Sequence, residues 1–145
     1  VNVPVGGKLL LSTNALVNFA AGSSLTVAGE LEIQAGARLR LDGSEPARDL
    51  TLAAGSVLSG TGTIQLEGSC RLVTAGDLDT AVNVFLNSAS ARLIVPGTYT
   101  IRANQSLSGT IQSAAVVVAR NATLTASRAT FTGVVLLVVS VMGSR

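Results

Sequence analysis

Short aliphatic runs separated by small polar residues recur along the whole chain. Between Asp49 and Gly68 the sequence DLTLAAGSVLSGTGTIQLEG contains three such runs, in which aliphatic residues mostly stand two apart. Alternating apolar and polar residues are typical of β-strands with one buried face, and the Gly, Ser and Thr residues between the runs are typical of turns. The pattern therefore predicts three short strands in each such stretch. No segment has the spacing and caps of an amphipathic helix, so we expect little or no helix.

The three runs return at a nearly constant interval. The step along the chain from Leu25 to Leu50 has the same length as the step from Leu39 to Ile64. A repeat of this length with three strands predicts a parallel β-helix, or β-solenoid, in which each turn of the chain stacks on the preceding turn. We expect an all-β fold of about six coils of roughly 21–26 residues, in one domain over residues 1–145 that belongs to a longer protein. The variable coil length favours a right-handed winding over the left-handed type with its strict six-residue repeat.

This alignment predicts three columns of buried side chains, with polar neighbours that point outward. The first column is Val3, Leu25, Leu50, Leu72, Leu93 and Val117. The second column is Leu10, Leu31, Val57, either Val82 or Val84, Tyr99 and Leu124. The third column is Leu16, Leu39, Ile64, Leu86, Leu107 and Phe131.

Two other folds share part of this pattern. Leucine-rich repeats have a similar length, but they need an Asn or Cys ladder and a helical segment in each repeat, and the sequence has neither. A β-sandwich also uses short strands between regularly spaced turns, and it stays open as the alternative. The parallel advance of three columns favours the β-helix.

Two segments interrupt the repeat. Residues 42–48 (DGSEPAR) are charged and contain a proline, and residues 74–83 (TAGDLDTAVN) break the regular spacing of the aliphatic residues. Insertions in solenoids collect in loops on one face, which is often the binding face. We therefore expect both segments to be loops and to be the first places at which a partner makes contact.

Charged residues are distributed unevenly along the chain. All eight acidic residues lie between Glu30 and Asp79, whereas residues 80–145 contain five arginines and no acid. The basic half could be a solvated face, could associate head to tail with the acidic half, or could bind an anionic partner such as a charged polysaccharide. We do not expect nucleic acid, because the basic residues are scattered and are not interleaved with aromatic residues. The candidate binding residues are Arg71, Asp77, Asp79, Arg92, Arg102, Arg120 and Arg128.

The chain offers few groups for covalent or metal-dependent catalysis. It has no histidine and a single cysteine, so a Cys–His nucleophile and an internal disulfide are both excluded. We interpret Cys70 as a small apolar core residue, and we expect no catalytic residue, metal or cofactor. The alternative is a lyase in which Asp77 and Asp79 hold Ca²⁺ beside Arg71 or Arg92 as the base.

A second enzymatic alternative comes from paired carboxylates, because many polysaccharide-degrading enzymes are β-helices. Glu30 and Glu32, or Asp77 and Asp79, would stand two residues apart on one strand face. That spacing is roughly the carboxylate separation of an inverting glycoside hydrolase. Outward acidic residues on strands more often keep the protein soluble and keep sheet edges apart, so we favour that interpretation.

Ice binding is a third class of function to consider. Flat β-solenoids of that class present rows of Thr-x-Thr, and the chain has four such pairs, at positions 61/63, 98/100, 123/125 and 130/132. These pairs do not fall on one predicted column. We therefore do not expect the unbroken row that a flat ice surface would need.

The run from Val134 to Val139 (VVLLVV) is apolar at every position. A strand with one wet face would alternate, so another surface should cover this one. The cover could be a sister chain, a further domain or a loop folded over the strand, and we expect a homo-oligomer, either a trimer or an end-to-end assembly, that uses this strand. The run is far too short for a membrane span, which needs about 20 apolar residues.

The sequence between Gly55 and Gly68 (GSVLSGTGTIQLEG) and that between Ser106 and Ile111 (SLSGTI) resemble a known repeat pattern. It is similar to the right-handed β-helix of secreted surface adhesins, namely autotransporter passengers and filamentous-haemagglutinin-like proteins. The resemblance implies an extracellular or cell-surface adhesive stalk, and it transfers no functional residue to this chain. We therefore expect a non-enzymatic structural or adhesion module that binds glycans and self-assembles.

Overall fold

The architecture is that of a parallel β-solenoid. The computed structural model describes residues 1–19, 23–41, 49–133 and 136–139. These residues form sixteen β-strands and no helix, and every strand pairing among them is parallel. Parallel pairing excludes the alternative β-sandwich, whose strands are antiparallel. The prediction of an all-β parallel β-solenoid is confirmed, and its handedness stays a prediction.

The strands before Arg92 are short, the three that follow are longer, and the last is short again. They are β1 (Asn2–Val3), β2 (Lys8–Leu11), β3 (Leu16–Phe19), β4 (Leu25–Val27), β5 (Glu30–Ile33), β6 (Arg38–Leu41), β7 (Asp49–Leu52), β8 (Val57–Gly60), β9 (Thr63–Leu66), β10 (Arg71–Thr74), β11 (Leu78–Thr80), β12 (Asn83–Leu86), β13 (Arg92–Ile101), β14 (Gln105–Val118), β15 (Leu124–Thr132) and β16 (Leu136–Val139).

Three sheets run along the solenoid. The first sheet has the strand order β1-β4-β7-β10-β13-β14-β15, with β11 also paired to β13 and β16 to β14. The second sheet is β2-β5-β8, and the third is β3-β6-β9-β12. The chain makes about five turns with three strands per coil, close to the six coils expected from the sequence.

The first predicted column is confirmed over its central four residues. These four leucines are fully buried, and they pair in register on adjacent parallel strands. The polar residues that alternate with them point to the opposite face of each strand. Burial of one leucine side chain stabilises the fold by roughly 1.5–3 kcal/mol. Val3 joins the column beside Val27 instead of Leu25. The confirmed residues are Leu25, Leu50, Leu72 and Leu93.

The predicted register of the second column is wrong by one residue at two strands. Leu9 and Leu58, instead of Leu10 and Val57, pair with the buried Leu31. The side chains of Leu10 and Val57 are 46% and 51% exposed. Both errors arise in runs with consecutive aliphatic residues, where alternation does not distinguish the two faces.

The third column is confirmed at Leu39 and Ile64, which pair and are fully buried. At the start, Val17 pairs with Leu39, while Leu16 pairs with Arg38 and is 63% exposed. The prediction that Leu16 is a core residue is therefore wrong.

Further along the third column, the predicted step from Ile64 to Leu86 is wrong by two residues. Val84 pairs with Ile64, and Leu86 pairs with Leu66. Leu86 keeps its predicted place in the core, because a shift of two residues returns a side chain to the same face.

The coil that follows Arg92 contains fewer residues than predicted, and the predicted columns fail there. Leu93 pairs with Ile111, which comes earlier in the chain than the predicted partner Val117. Val117 instead pairs with Thr100 and is half-buried. This coil is therefore shorter than the range predicted from the sequence. The physical cause is that β13 and β14 continue from one sheet position to the next without a separate turn.

The last predicted steps of the second and third columns are also wrong. Tyr99 pairs with Leu78 on one side and with Val116 on the other, so neither Val82, Val84 nor Leu124 is its neighbour in register. Leu107 is buried as expected but pairs with Ala126. Phe131 pairs with Ile111 and is 36% exposed, so it is not a core residue.

Of the two predicted loops, one is wrong. Residues 74–83 contain strand β11, in which Leu78 and Thr80 are buried and Asp79 is exposed. The segment is therefore a regular strand between two tight turns. Residues 42–48 lie outside the described residues, as do Val134 and Val135 of the apolar C-terminal run. The rest of that run is strand β16, which pairs with β14.

Candidate functional site

The outer face of the first sheet carries a column of polar and charged residues. Asp49 lies beside Arg71, Arg71 beside Arg92, Arg92 beside Thr110, and Thr110 beside Thr130. Alternation along the strands directs these residues outward, because the neighbouring positions point into the core. Adjacent strands of a sheet are about 4.8 Å apart, and the column therefore runs along the solenoid with that spacing.

Arg71 is neutralised by the carboxylate on the preceding strand. Its Nε and Nη2 atoms donate hydrogen bonds to Oδ1 and Oδ2 of Asp49, at 2.8 and 3.0 Å. This two-point contact is the geometry in which a guanidinium binds a carboxylate best. The same contact raises the pKa of Arg71 above its ordinary value. The prediction of Arg71 as a binding residue is therefore weakened, because an anionic ligand would have to displace Asp49.

Arg92 occupies the next position and has no carboxylate partner among the described residues. It is exposed, and it lies in a shallow basin with a volume of about 530 Å³. The basin contains hydroxyl groups and a second guanidinium but no acid from the described part of the chain. Its lining residues are Ser69, Arg71, Ala89, Ser90, Arg92 and Thr110.

The predicted lyase site would require Asp77 and Asp79 to lie beside Arg71 or Arg92. In the described structure, neither acid forms an ion pair with either arginine. Asp79 accepts two hydrogen bonds from Arg102, at 2.7 and 2.8 Å. That contact lowers the pKa of the Asp79 carboxyl. Asp77 accepts a hydrogen bond from the backbone N–H of Thr98 at 2.8 Å. Both acids therefore join one turn of the chain to the following turn.

The remaining candidate arginines do not gather with Arg92. Arg102 is paired to Asp79 across neighbouring turns. Arg120 is exposed in the turn between β14 and β15. Arg128 is part of β15, and its side chain lies outside the described set. Of the predicted cations, Arg92 alone combines an open basin with an unpaired guanidinium among the described side chains.

The carboxylates of Glu30 and Glu32 are also engaged in contacts between turns. Lys8 Nζ lies 2.6 Å from Glu32 Oε1 and 3.8 Å from Glu30 Oε2. Ser59 donates to Glu30 at 2.8 Å, and Gln34 donates to Glu32 at 3.3 Å. The hydrogen bond from Lys8 lowers the pKa of Glu32, although a general acid in glycoside hydrolysis needs a raised pKa.

A cleft of about 380 Å³ opens where the second sheet is interrupted. Strand β8 ends that sheet, and the next strand at this position, β11, pairs only with β13 among the described strands. One contact that bridges the interruption comes from Thr80, whose hydroxyl donates to the carbonyl of Leu58 at 3.1 Å. The cleft is lined by residues 52–58 and 74–79, which include Asp77 and Asp79. These acids would disfavour an anionic ligand here.

A smaller groove of about 230 Å³ has a neutral, polar lining. It contains Asn83, Asn104, Gln105, Thr123 and Thr125. Asn104 accepts a hydrogen bond from the backbone of Thr123 at 3.0 Å, and Gln105 bonds to the backbone of Val84 through its amide.

Asn104 and Asn121 each begin a sequence that matches the N-glycosylation sequon, and both are exposed. Asn121 has a positive φ of 68° in the turn after β14. Asn104 already uses its side-chain oxygen in the contact with Thr123.

The threonine pairs do not form a continuous row. Thr98 and Thr100 pair with Ala115 and Val117 on the next strand. Thr130 lies beside Thr110, but the column continues on the other side with Arg92.

Two buried groups have no part in any outer surface. Cys70 is fully buried in the core, as interpreted from the sequence. Tyr99 is also fully buried, and its hydroxyl has no hydrogen-bond partner among the described residues. Burial raises the pKa of Tyr99 well above its ordinary value.

Two further kinds of site concern metals and membranes. Within residues 1–19, 23–41, 49–133 and 136–139, no three or more acidic, cysteine or histidine side chains are grouped as a metal site would require. The same residues contain no helix with the length and apolar character needed to cross a bilayer.

Comparison of the chain with protein-family models, with curated proteins and with solved structures finds no match.

Proposed function

We propose that the chain is a non-enzymatic structural and adhesive module of an extracellular or cell-surface protein. The observation that carries this proposal is how the outward charged residues are used. Lys8 with Glu32, Asp49 with Arg71, and Asp79 with Arg102 each join two neighbouring turns. Such contacts hold successive turns together in a rod with a regular surface. A rod of this kind suits a structural module that holds binding groups at fixed positions.

The same contacts give less support to a polysaccharide-degrading enzyme. A hydrolase needs one carboxyl with a raised pKa and a second one that is free to act as a base or nucleophile. The pKa values of Glu32 and Asp79 are lowered, and both groups accept hydrogen bonds from cations. The interrupted threonine pairs likewise give little support to ice binding.

Self-association is the second part of the proposal. Strand β16 pairs with the part of β14 that contains Ala115 and Val117, which are only half-buried. The sequence LLVV of β16 adds apolar residues at the same positions of the register. A homo-oligomer, trimeric or end to end, that covers the half-buried Ala115 and Val117 would remove apolar area from water.

The proposal is tested by separating adhesion from catalysis. The chain is immobilised and assayed for retention of polysaccharides and of cells, and the same polysaccharides are incubated with it in the presence and absence of Ca²⁺. We expect retention without any decrease in polysaccharide length. Cleavage of a polysaccharide, with or without Ca²⁺, would refute the non-enzymatic function.

A further inference from the structure

We propose that Arg92 and the hydroxyl groups around it bind a carboxylate or sulfate group of an acidic polysaccharide. This inference rests on the proposed adhesive function and names its ligand class. The site is the basin of about 530 Å³ on the outer face of the first sheet. We call it the Arg92 basin.

Charge is the first argument for an anionic ligand. The Arg71 guanidinium uses two hydrogen bonds to bind Asp49, at 2.8 and 3.0 Å, so that this pair is neutral. Arg92, one strand further along the same column, has no carboxylate partner among the described residues. The basin thus keeps one uncompensated positive charge. A guanidinium presents a planar set of donors that fits the two oxygens of a carboxylate or a sulfate.

The hydroxyl groups of the basin provide the second argument. Thr110 lies beside Arg92 on the next strand, and Ser90, two residues before Arg92, also lines the basin. Neither hydroxyl bonds to a described residue, so both can donate to an anion or bond to sugar hydroxyls. The volume of the basin is within the usual range of small-ligand sites, and its open shape admits one unit of a longer polymer.

The direction of the column favours a polysaccharide over a small free anion. Beyond Thr110 the outer column continues with Thr130, and Gln112 and Thr132 form the adjacent outward pair. A chain of sugars that follows the solenoid axis would meet these polar groups one strand at a time. A single exposed ion pair contributes little affinity, so useful binding requires several such contacts on one polymer.

The test measures binding of three oligosaccharides of equal length to the full chain: an oligouronate, a sulfated oligosaccharide and a neutral one. We expect one or both anionic probes to bind, with an affinity that decreases as salt is added. Arg92→Gln should weaken that binding about fivefold, the effect of losing roughly 1 kcal/mol. Arg120→Gln is the matched control, because it removes the same charge from an exposed turn, and it should leave the affinity nearly unchanged.

A second variant should change the affinity for the anionic probes in the opposite direction. Asp49→Asn releases the Arg71 guanidinium and should strengthen binding of the anionic probe about two- to fivefold, by the same estimate for one exposed pair. Asp77→Asn changes the net charge equally but lies in the cleft beside β11, so it should have little effect. Folding of each variant is checked by circular dichroism.

Several results would overturn the assignment. Equal binding of the neutral probe, or no binding of either anionic probe, contradicts an anionic ligand. Equal losses for Arg92→Gln and Arg120→Gln contradict a local site and indicate attraction by net charge. If the unmodified chain retains cells but Arg92→Gln changes nothing, the inference fails while the adhesive function stands. Cleavage of a probe would instead refute the adhesive function itself.

Discussion

Two buried hydroxyl groups in the core differ in their hydrogen bonding. The Thr80 hydroxyl donates to the carbonyl of Leu58 at 3.1 Å and accepts from the N–H of Val82 at 3.0 Å. The Tyr99 hydroxyl is fully buried and has no partner among the described residues. A satisfied buried hydroxyl stabilises the fold, whereas an unsatisfied one leaves a desolvation cost uncompensated.

Removal of the two hydroxyls should therefore change stability in opposite directions. We expect Tyr99→Phe to raise the free energy of unfolding by about 1–2 kcal/mol, because it deletes an unsatisfied group without changing the shape of the ring. Thr80→Val should lower it by about 1–2 kcal/mol, because it leaves the carbonyl and the N–H without their partner. Urea denaturation measures both values. A loss of stability in Tyr99→Phe would show that its hydroxyl is bonded.

Acid should weaken the contacts between turns. The pKa values of Asp79 and Glu32 are lowered from ordinary values of 3.8 and 4.5. A lowered folded-state pKa contributes stability above the unfolded-state pKa, and that contribution is lost as the pH falls through the folded value. We expect urea midpoints to be constant near neutral pH and to fall below about pH 4.5, where these carboxyls bind protons in the unfolded chain more readily than in the folded one.

The Asp79 part of this effect can be isolated. Its carboxylate is more than half exposed, so solvent screening limits the contribution to less than about 1 kcal/mol. Asp79→Asn should reduce the acid dependence slightly. Full acid dependence in that variant would mean that other carboxylates are responsible.

The sequence contains the signal for the Arg92 basin. The predicted alignment of Leu50, Leu72 and Leu93 is correct, and the residues before them are Asp49, Arg71 and Arg92. The same alignment therefore places the acid beside the first arginine and leaves the second arginine unpaired. The pairing of Arg102 with Asp79 cannot be found in this way, because it depends on β11, where the sequence pattern predicts a loop.

At the scale of the strand and the turn, close stacking of the turns restricts side-chain size at the corners. Gly29 connects β4 to β5, and a Cβ atom built on it would lie 2.2 Å from the carbonyl oxygen of Gly7 in the preceding turn. The backbone there cannot recede freely, because the N–H of Glu30 donates to the same carbonyl at 2.9 Å. The corner therefore depends on the absence of a side chain.

Gly29→Ala should lower the free energy of unfolding by about 1–3 kcal/mol, the usual cost of overpacking a rigid site. Gly76→Ala is the control, because a Cβ atom at that position meets no atom within 4 Å. We expect the control to change stability by less than about 0.5 kcal/mol. Equal effects in thermal or urea denaturation would contradict the close approach of the two turns.

Strand positions are predictable where alternation is strict, and prediction fails where it is ambiguous. RLRL in β6 and ELEI in β5 place their aliphatic residues inward as expected. KLLL in β2 has three consecutive leucines, and the prediction selects Leu10, although Leu9 and Leu11 are the more buried residues. The sequence LDT of β11 lacks the apolar alternation that predicts a strand, because its second inward residue is Thr80. The polar side chain of Thr80 can be buried because its hydroxyl forms two hydrogen bonds.

Across the whole molecule, the repeat predicts the architecture but not the shorter coil that follows Arg92. The prediction assumes a nearly fixed period, whereas the step from Leu93 to Ile111 is shorter than the step from Leu50 to Leu72. The shortening follows from strands that pass around a corner without a separate turn, and in β13 the register with β14 shifts between Val95 and Thr98. The Pro-Gly pair at this point is a turn signal, but here it marks an irregularity inside one long strand. The contrast between an acidic and a basic half is also reduced, since Asp79 in the first half pairs with Arg102 in the second.

The central claim is that successive turns stack in parallel with Thr26 beside Thr51 on the outer face of the first sheet. Cysteines at these two positions, in a chain with Cys70 replaced by alanine, would have Cα atoms about 4.8 Å apart, within the range of a disulfide. The measurement is the yield of the intramolecular disulfide after mild oxidation, determined by mass spectrometry. We predict a high yield for Thr26→Cys with Thr51→Cys and a low yield for Thr26→Cys with Ala53→Cys, whose Cα atoms are about 7–8 Å apart. Equal yields, or a higher yield for the offset pair, would contradict the parallel register and the solenoid built on it.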